Sequence, residues 1–302
     1  MSELIKTSGT VIKQIAGFYY VDAGDAVYEC RAKGKFRNLN ETPLPGDTVD
    51  ILAAEGATGR VEKIHPRKNF FIRPTVANVD RVYIVASVTE PVPNALVMDR
   101  LAAIAEFKGV EPIFVFNKSD IQSAEKWVEI YKKAGFETYA VSAATGEGVE
   151  DLRRSIKGCF SVFTGNSGVG KSSLLNLIFP EAELATGEIS NKLGRGRHTT
   201  RTVELLKTDG GYIADTPGFS SLTFEQEDIL KDDLVNCFRE FESFSGDCRF
   251  TSCTHTSEKG CAVLEAVSEG KISESRHLSY KTFYEELKNV KEWERKKRND
   301  QV

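Results

Sequence analysis

Two hydrophobic periods divide the chain. Up to about Arg67, short runs such as GTVIKQIAGFYYVDAG and AVYECRAKGKFR alternate apolar with polar positions, and Asp22, Gly24, Pro43, Pro45, Gly46 and Asp47 punctuate them. Period-two alternation turns one face of a strand to a core and the other to water, so this spacing predicts a small closed β-barrel. From Val79 the apolar runs lose their alternation, as strands buried on both faces do, and helical stretches separate them. RVYIVASV, PIFVFNKSD, TYAVSA, CFSVFTG and GGYIADTPG read as strands. Helices are expected near Leu96–Lys108, near Ala124–Ala134 and from Lys171, which gives an α/β fold with a parallel sheet. Past Phe219 the remainder reads as helical and charged, closing with a helix over about Glu274–Lys297. The expected multidomain division is a barrel at 1–67, an α/β domain at 68–223 and a helical domain at 224–302.

Composition narrows this only slightly. With 40% hydrophobic and 28% charged residues, the 302-residue chain fits a globular protein. No run approaches the roughly 20 apolar residues of a membrane helix, and MSELIKTSGT lacks a signal-peptide pattern, so a cytoplasmic location is expected. A net charge of −4 leaves any nucleic-acid contact to local basic patches.

The chemistry begins at GNSGVGKS, Gly165–Ser172, which follows an apolar strand and opens the helical run SSLLNLIF, as a GxxxxGK[ST] phosphate loop requires. Gly165, Gly168 and Gly170 let the backbone of Asn166, Ser167 and Val169 turn its N–H groups toward a phosphate, and the helix that follows adds its positive dipole end. Lys171 is expected to bridge the terminal phosphates and act in catalysis; Ser172, with Ser173 beside it, supplies a hydroxyl to Mg²⁺. DTPG ends the strand GGYIAD, where Asp215 can hold a Mg²⁺ water and the Gly218 N–H can reach the γ-phosphate.

NKSD, Asn117–Asp120, closes the strand PIFVF at the crevice where open α/β sheets bind ligands. Guanine offers two adjacent N–H donors that a carboxylate accepts together, and adenine does not, so Asp120 selects GTP over ATP. Asn117 is expected to brace neighbouring loops and Lys118 to lie over the base plane. Ser142 and Ala143, in VSAATG, place a backbone N–H within reach of the guanine carbonyl.

Together these strings, a Thr-rich loop and DTPG resemble the motif set of the translational GTPases, in an order where the base-recognising strand precedes the phosphate loop. Over nearly its whole length the chain resembles the ribosome small subunit-dependent GTPase A family. The resemblance implies an OB-fold barrel, a circularly permuted P-loop GTPase and a zinc-binding helical domain. It also implies a monomeric GTPase that binds the small ribosomal subunit and its rRNA in late assembly, is stimulated there and leaves in the GDP state. Permutation has a physical consequence: the loop that senses the γ-phosphate runs straight into residues 224–302, so nucleotide state can bear on that domain.

Many GTPases place a water-orienting Gln just after DxxG. Phe219 stands there, so slow intrinsic turnover is expected. In GRGRHTTR, Gly194–Arg201, Thr199 or Thr200 can coordinate Mg²⁺, with Thr200 the ligand we assign, and His198 can orient water or merely be a solvated loop histidine. The family's GxHTT pattern, carried by Gly196, His198, Thr199 and Thr200, is where a catalytic histidine is sought.

Cys248, Cys253, His255 and Cys261 offer three thiolates and an imidazole, a closed tetrahedral set for one structural Zn²⁺. Cys30, Cys159 and Cys237 are scattered and read as ordinary thiols. Basic residues alternate in RAKGKFR (Arg31, Lys33, Lys35, Arg37), which on a strand would share one face, and gather at Arg60, Lys63, His65, Arg67 and Lys68 and in KNVKEWERKKR. Each is either a phosphate-tracking surface or a solvated face. Rival readings are a GTPase serving another RNA or membrane process and a nucleotide-gated RNA-binding module.

Overall fold

The computed structural model describes residues 4–34, 36, 41–54, 57–72, 74–180, 203–215, 219 and 222–290. His198, Thr199, Thr200, Gly218, Lys35, Arg37 and the basic segment past Val290 lie outside them.

Five strands close the barrel: β1 (Leu4–Ile15), β2 (Phe18–Asp22), β3 (Val27–Ala32), β4 (Thr48–Ala54) and β5 (Ala57–Ile64), in the order β1-β2-β3-β5-β4. β3 and β5 run parallel and the remaining pairs antiparallel. Alternate positions Val11, Tyr19, Val21, Val49, Ile51 and Val61 form its core, as the period-two pattern requires. One expectation fails: β3 stops at Ala32, so RAKGKFR is not a strand with its cations on one face. Gly34 and Phe36 lie in a helical turn instead, because Phe36 is drawn into the barrel core.

A hairpin of β6 (Phe70–Ile72) and β7 (Thr75–Ala77), unforeseen in the sequence, leads to the central sheet. That sheet contains β8 (Arg81–Ser87), β9 (Glu111–Asn117), β10 (Thr138–Ala140), β11 (Phe160–Thr164), β12 (Leu205–Lys207) and β13 (Tyr212–Asp215), ordered β10-β9-β8-β11-β13-β12. All its pairs are parallel except β12 with β13. The chain therefore winds outward from β8 on one side, while on the other it passes from β11 to the edge strand β12 and returns inward to β13.

Helices cover both faces. α1 (Ala95–Phe107) and α2 (Glu125–Lys133) match the expected positions, while α3 (Val149–Ile156) was not anticipated; α4 (Lys171–Ile178) starts at the expected lysine. Successive β8 side chains go to opposite cores: Val82, Ile84 and Ala86 to the α1–α2 side, Tyr83 and Val85 to the α3–α4 side.

The C-terminal part carries α5 (Lys231–Leu234), α6 (Glu242–Ser245), α7 (Ala262–Ser268) and α8 (Glu274–Leu287). The apolar core on the α1–α2 side runs without a break through Phe219, Phe224, Phe238, Phe241, Tyr280 and Phe283, so these helices share a core with the sheet. Arginines join the two. Arg276, 1% exposed, donates to Asp99 Oδ1 at 2.8 Å and to Glu240 Oε1 at 2.7 Å, and Tyr131 donates to the same Asp99 oxygen at 2.9 Å. Burial works against the guanidinium's charge, and Glu240 and Asp99 more than offset it, so Arg276 titrates above its ordinary value. Arg100 grips Glu286 with two bonds of 2.8 Å, and Arg239 reaches Glu106, Glu111 and the Gly135 carbonyl. Among the described residues no helix is long and apolar enough to cross a membrane.

Arg276→Met should leave two buried carboxylates without their counter-charge and cost about 3–5 kcal/mol of stability. Urea unfolding of the metal-loaded protein measures this, and an unchanged midpoint would show that the network contributes nothing.

Candidate functional site

The reversal of winding between β8 and β11 leaves a crevice at their carboxyl ends, where no crossover helix can lie. Sheet register aligns the expected motifs along that edge. Asn117 ends β9 opposite Ser87 of β8, Ala140 ends β10 opposite Phe116, and Asp215 ends β13 opposite Phe163, one residue short of the turn after β11.

The Gly165–Gly170 turn joins Thr164 of β11 to Lys171 of α4. A Cβ at Gly165 would lie 2.3 Å from the Val85 carbonyl oxygen, so only glycine lets the turn leave so close to β8. Gly170 has φ +85° and a Cβ there would sit 2.3 Å from Asn117 Nδ2, which excludes side chains on both conformational and steric grounds. Asn166, Ser167 and Gly168 form the exposed rim, while Val169 is buried with Leu174 and Leu175 of α4. The turn thus has an anchored base and an open backbone.

Asn117 unites the loops. Only 1% exposed, it donates through Nδ2 to the Val169 carbonyl at 2.9 Å and accepts at Oδ1 from the Ala143 N–H at 3.0 Å. One carboxamide therefore spans the phosphate loop and the SAA turn. Ser142, fully buried, accepts at Oγ from the N–H groups of Ala144 at 3.2 Å and Thr145 at 3.1 Å, which shapes that turn. Lys118, at φ +66°, points its Nζ to the Glu90 carbonyl at 2.5 Å, on the loop that follows β8. Sequence reading passed over that loop, for its Glu90–Asn94 run carries no motif. Asp120, two residues after Lys118, is exposed. A cavity of about 550 Å³ lined by Ser119, Asp120, Ile121, Gln122, Val128 and Ala140 opens there; it takes in Asp120 and the end of β10 but no residue of the phosphate loop.

Ser172 and Ser173 stand in the first turn of α4, and Asp215 is placed by its backbone. His198, Thr199, Thr200 and Gly218 lie outside the described residues. Phe219 is 1% exposed and packs edge-on to Phe71 of β6 with centroids 4.8 Å apart, so it belongs to the core and not to the crevice. Close by, Glu227, 1% exposed, pairs with Lys108 at 2.8 Å, so the segment after DTPG is pinned to the end of α1.

The cysteine cluster forms as its spacing predicts. Ligand atoms of Cys248, Cys253, His255 and Cys261 all lie within 4.8 Å of one another. The Cys248 and Cys261 sulfurs are each 3.5 Å from His255 Nδ1 and 3.8 Å from one another. A tetrahedral Zn²⁺ with bonds of about 2.3 Å to sulfur and about 2.05 Å to nitrogen demands edges of about 3.8 and 3.5 Å, so the set fits zinc. Around it Glu258 accepts from the N–H groups of Thr254, Thr256 and Ser257. Burial would raise that carboxyl, yet the Thr254 hydroxyl and these N–H groups bring it down to about 2. His277 bonds the His255 carbonyl at 2.8 Å and Tyr280 donates to the Thr254 carbonyl at 2.9 Å, so α8 holds the ligand loop from behind.

Several basic positions have acidic partners already: Arg60 with Glu62, His65 with Asp50, Lys68 with Asp80, and Arg67 with Asp47, which is fully buried. Arg31 lies over the Phe18 ring and Lys33 pairs with Glu62.

Comparison with known proteins agrees with this geometry. The family described as RsgA GTPase matches residues 64–225, and the RsgA N-terminal domain matches 8–61. A Caldanaerobacter subterraneus subsp. tengcongensis protein named small ribosomal subunit biogenesis GTPase RsgA is 46% identical over 296 residues, 97% of this chain and 98% of its own. A Streptococcus pneumoniae protein of the same name is 43% identical, covering 94% and 96%. The crystal structure of YjeQ from Thermotoga maritima superposes with a TM-score of 0.81 at 34% identity, over 95% of this chain and 100% of that one. That of YloQ, described as a circularly permuted GTPase, gives 0.80 at 34%, over 95% and 96%.

Asn117→Ala should strand the Val169 carbonyl and the Ala143 N–H, costing about 2–4 kcal/mol. Guanine-nucleotide affinity should fall with stability, read by titration and thermal melting together. Separately, metal analysis should find one zinc per chain, and chelation should lower the melting temperature because metal binding contributes folding energy.

Proposed function

The chain belongs to the RsgA GTPase family, and on that premise we propose that it hydrolyses GTP during late assembly of the small ribosomal subunit, stimulated by the subunit and leaving with GDP bound. The observation that carries the reading is the Asn117 brace, which draws the base-recognising turn and the phosphate loop to one crevice. In this reading Asp120 accepts the guanine N–H pair, Lys118 covers the base, and Ala143, with Ser142 shaping its turn, donates to the guanine carbonyl. Gly165–Gly170, Lys171 and Ser173 hold the phosphates, and the family's Mg²⁺ would rest on Ser172 and Thr200, with Asp215 holding one of its waters and Thr199 and the Gly218 N–H reaching the γ-phosphate. When bound, Mg²⁺ neutralises charge that develops on the phosphate oxygens. His198 is the candidate to orient water, because Phe219 occupies the place of the usual Gln and is packed away. Zn²⁺ on Cys248, Cys253, His255 and Cys261 is structural, since four protein ligands leave no place for substrate.

The division into 1–67, 68–223 and 224–302 stands as our reading, with the proviso of shape that the last two share a core. In the same reading the protein acts in the cytoplasm, as a monomer in contact with rRNA. The paired cations of Arg60, Arg67 and Lys68 shift the expected RNA contacts toward the remaining basic residues of the barrel and of the segment after Leu287.

Hydrolysis measured with and without purified small subunits decides the reading: turnover should be slow alone and rise by at least about tenfold with subunits. His198→Ala should lower stimulated turnover about a hundredfold while sparing GTP affinity. Equal affinity for GTP and ATP, or no response to subunits, would defeat the proposal.

A further inference from the structure

The barrel holds the strand pair that connects the two phosphate-sensing loops. β12 and β13 form an antiparallel hairpin; the Thr-rich loop enters it just before Val203, and β13 ends at Asp215 of DTPG. Any displacement of this hairpin moves the attachment points of both loops.

Two contacts from the barrel fix it. At the turn end, Lys207 and Tyr212 face one another across the hairpin and both bond Asp22, the last residue of β2. Lys207 Nζ lies 2.9 Å from Asp22 Oδ2 and 3.1 Å from the Gly24 carbonyl, and the Tyr212 hydroxyl donates to Asp22 Oδ2 at 2.9 Å. The Gly24 N–H donates to Asp22 Oδ1 at 2.8 Å, so the carboxylate is held rigidly within its own turn. It is 5% exposed, and although burial would raise it, Lys207, Gly24 and Tyr212 keep it below the ordinary carboxyl range. At the other end, Lys13 of β1 forms a backbone bridge with Glu204, the residue before β12, and their side chains pair at 2.8 Å.

β12 has three residues and lies at the sheet's edge, where its one strand neighbour is β13. Leu205 and the preceding Val203 enter the sheet's core, but an edge strand so short has little backbone pairing to fix its outer side beyond what covers it. The barrel is that cover. We propose that Asp22 is a positioning residue for GTP hydrolysis: through Lys207 and Tyr212 it sets the turn end of the β12–β13 hairpin, so that a polyanion engaging the barrel acts on the γ-phosphate site in large part through this carboxylate. The inference rests on the proposed ribosomal GTPase reading and adds to it the route by which the barrel takes part.

The test compares wild-type protein with Asp22→Asn, Lys207→Met and Lys207→Arg. Asp22→Asn keeps the acceptor for the Gly24 N–H and so the turn; Lys207 is 55% exposed at its side chain, so its replacement is tolerated by the fold, which thermal melting checks. Hydrolysis is measured with and without small subunits, alongside GTP affinity and subunit affinity. Subunit-stimulated kcat should fall about tenfold in Asp22→Asn and Lys207→Met, with KM for GTP and the subunit Kd changed less than about twofold, and Lys207→Arg should recover most of the loss. Unchanged stimulated kcat, a loss explained by weaker subunit binding, or an equally defective Lys207→Arg would overturn the role of Asp22 while leaving the ribosomal reading intact. A wild-type protein indifferent to subunits would instead overturn that reading and this proposal with it.

Discussion

A single buried carboxamide holds the nucleotide crevice in shape. Asn117 supplies one donor and one acceptor at a fixed separation, and spends them on backbone groups of two loops far apart in sequence. Either group left unmatched in the interior would cost about 1–3 kcal/mol, so the loops are stable in this arrangement and in few others. Aspartate would present acceptors where Val169 also accepts, and alanine would present nothing. The same amide dictates a neighbour: Gly170 must be glycine because a side chain there would collide with Asn117 Nδ2. Strand register in turn fixes Asn117, since β9 pairs with β8 through its last residue. The sheet, the amide and the glycine turn are thus one constraint expressed at successive levels.

Permutation changes what lies on either side of that constraint. The chain passes from DTPG through Phe219 into the core shared with the C-terminal helices, and among the described residues it does not return to the sheet. Three arginines, Arg100, Arg239 and Arg276, tie those helices to α1, to its neighbour β9 and to one another's acids. Buried pairs of this kind contribute little net stability, because desolvation offsets attraction. Their directional bonds favour one docking geometry, which an apolar interface alone leaves broad. The cysteine loop is braced by His277 and Tyr280 of the helix that carries Arg276, so α8 serves both the metal site and the docked face.

Motifs whose chemistry depends on local spacing were legible in the sequence. GNSGVGKS, NKSD, VSAATG and the Cys/His set needed only a strand or turn at a known offset, and each stands where those offsets put it. Elements that depend on tertiary pairing were not. β12 is three residues whose strand character comes from β13 and from Lys13 of the barrel, and nothing in LLK announces that. The β6–β7 hairpin is as short, and α3 was passed over between two strands that read more strongly. RAKGKFR misled because alternating cations mimic a strand face, while Phe36 has a core to enter and ends the pattern. Nothing in the sequence pairs Arg276 with Asp99; only the packing of α8 on α1 makes each the other's partner. Pairing likewise changes the meaning of Arg67, which resembles a phosphate ligand in sequence and serves the buried Asp47 in the fold.

The distribution of these ties indicates where a signal can travel. β8, β9 and β11 have strands on both sides and helices on both faces, so displacing them would break several strong contacts at once. The C-terminal helices are bolted by buried ion pairs, and Glu227 with Lys108 holds the segment after DTPG to α1. At the opposite edge β12 borders the barrel, and its contacts there are partly exposed polar bonds, individually weak and open to competition. Coupling between sites requires an element with more than one accessible position and a differential contact with what binds. Of the strands in the central sheet, the β12–β13 hairpin fits that description best, because its outer edge is held by the barrel and its two strands connect to the Thr-rich segment and to DTPG.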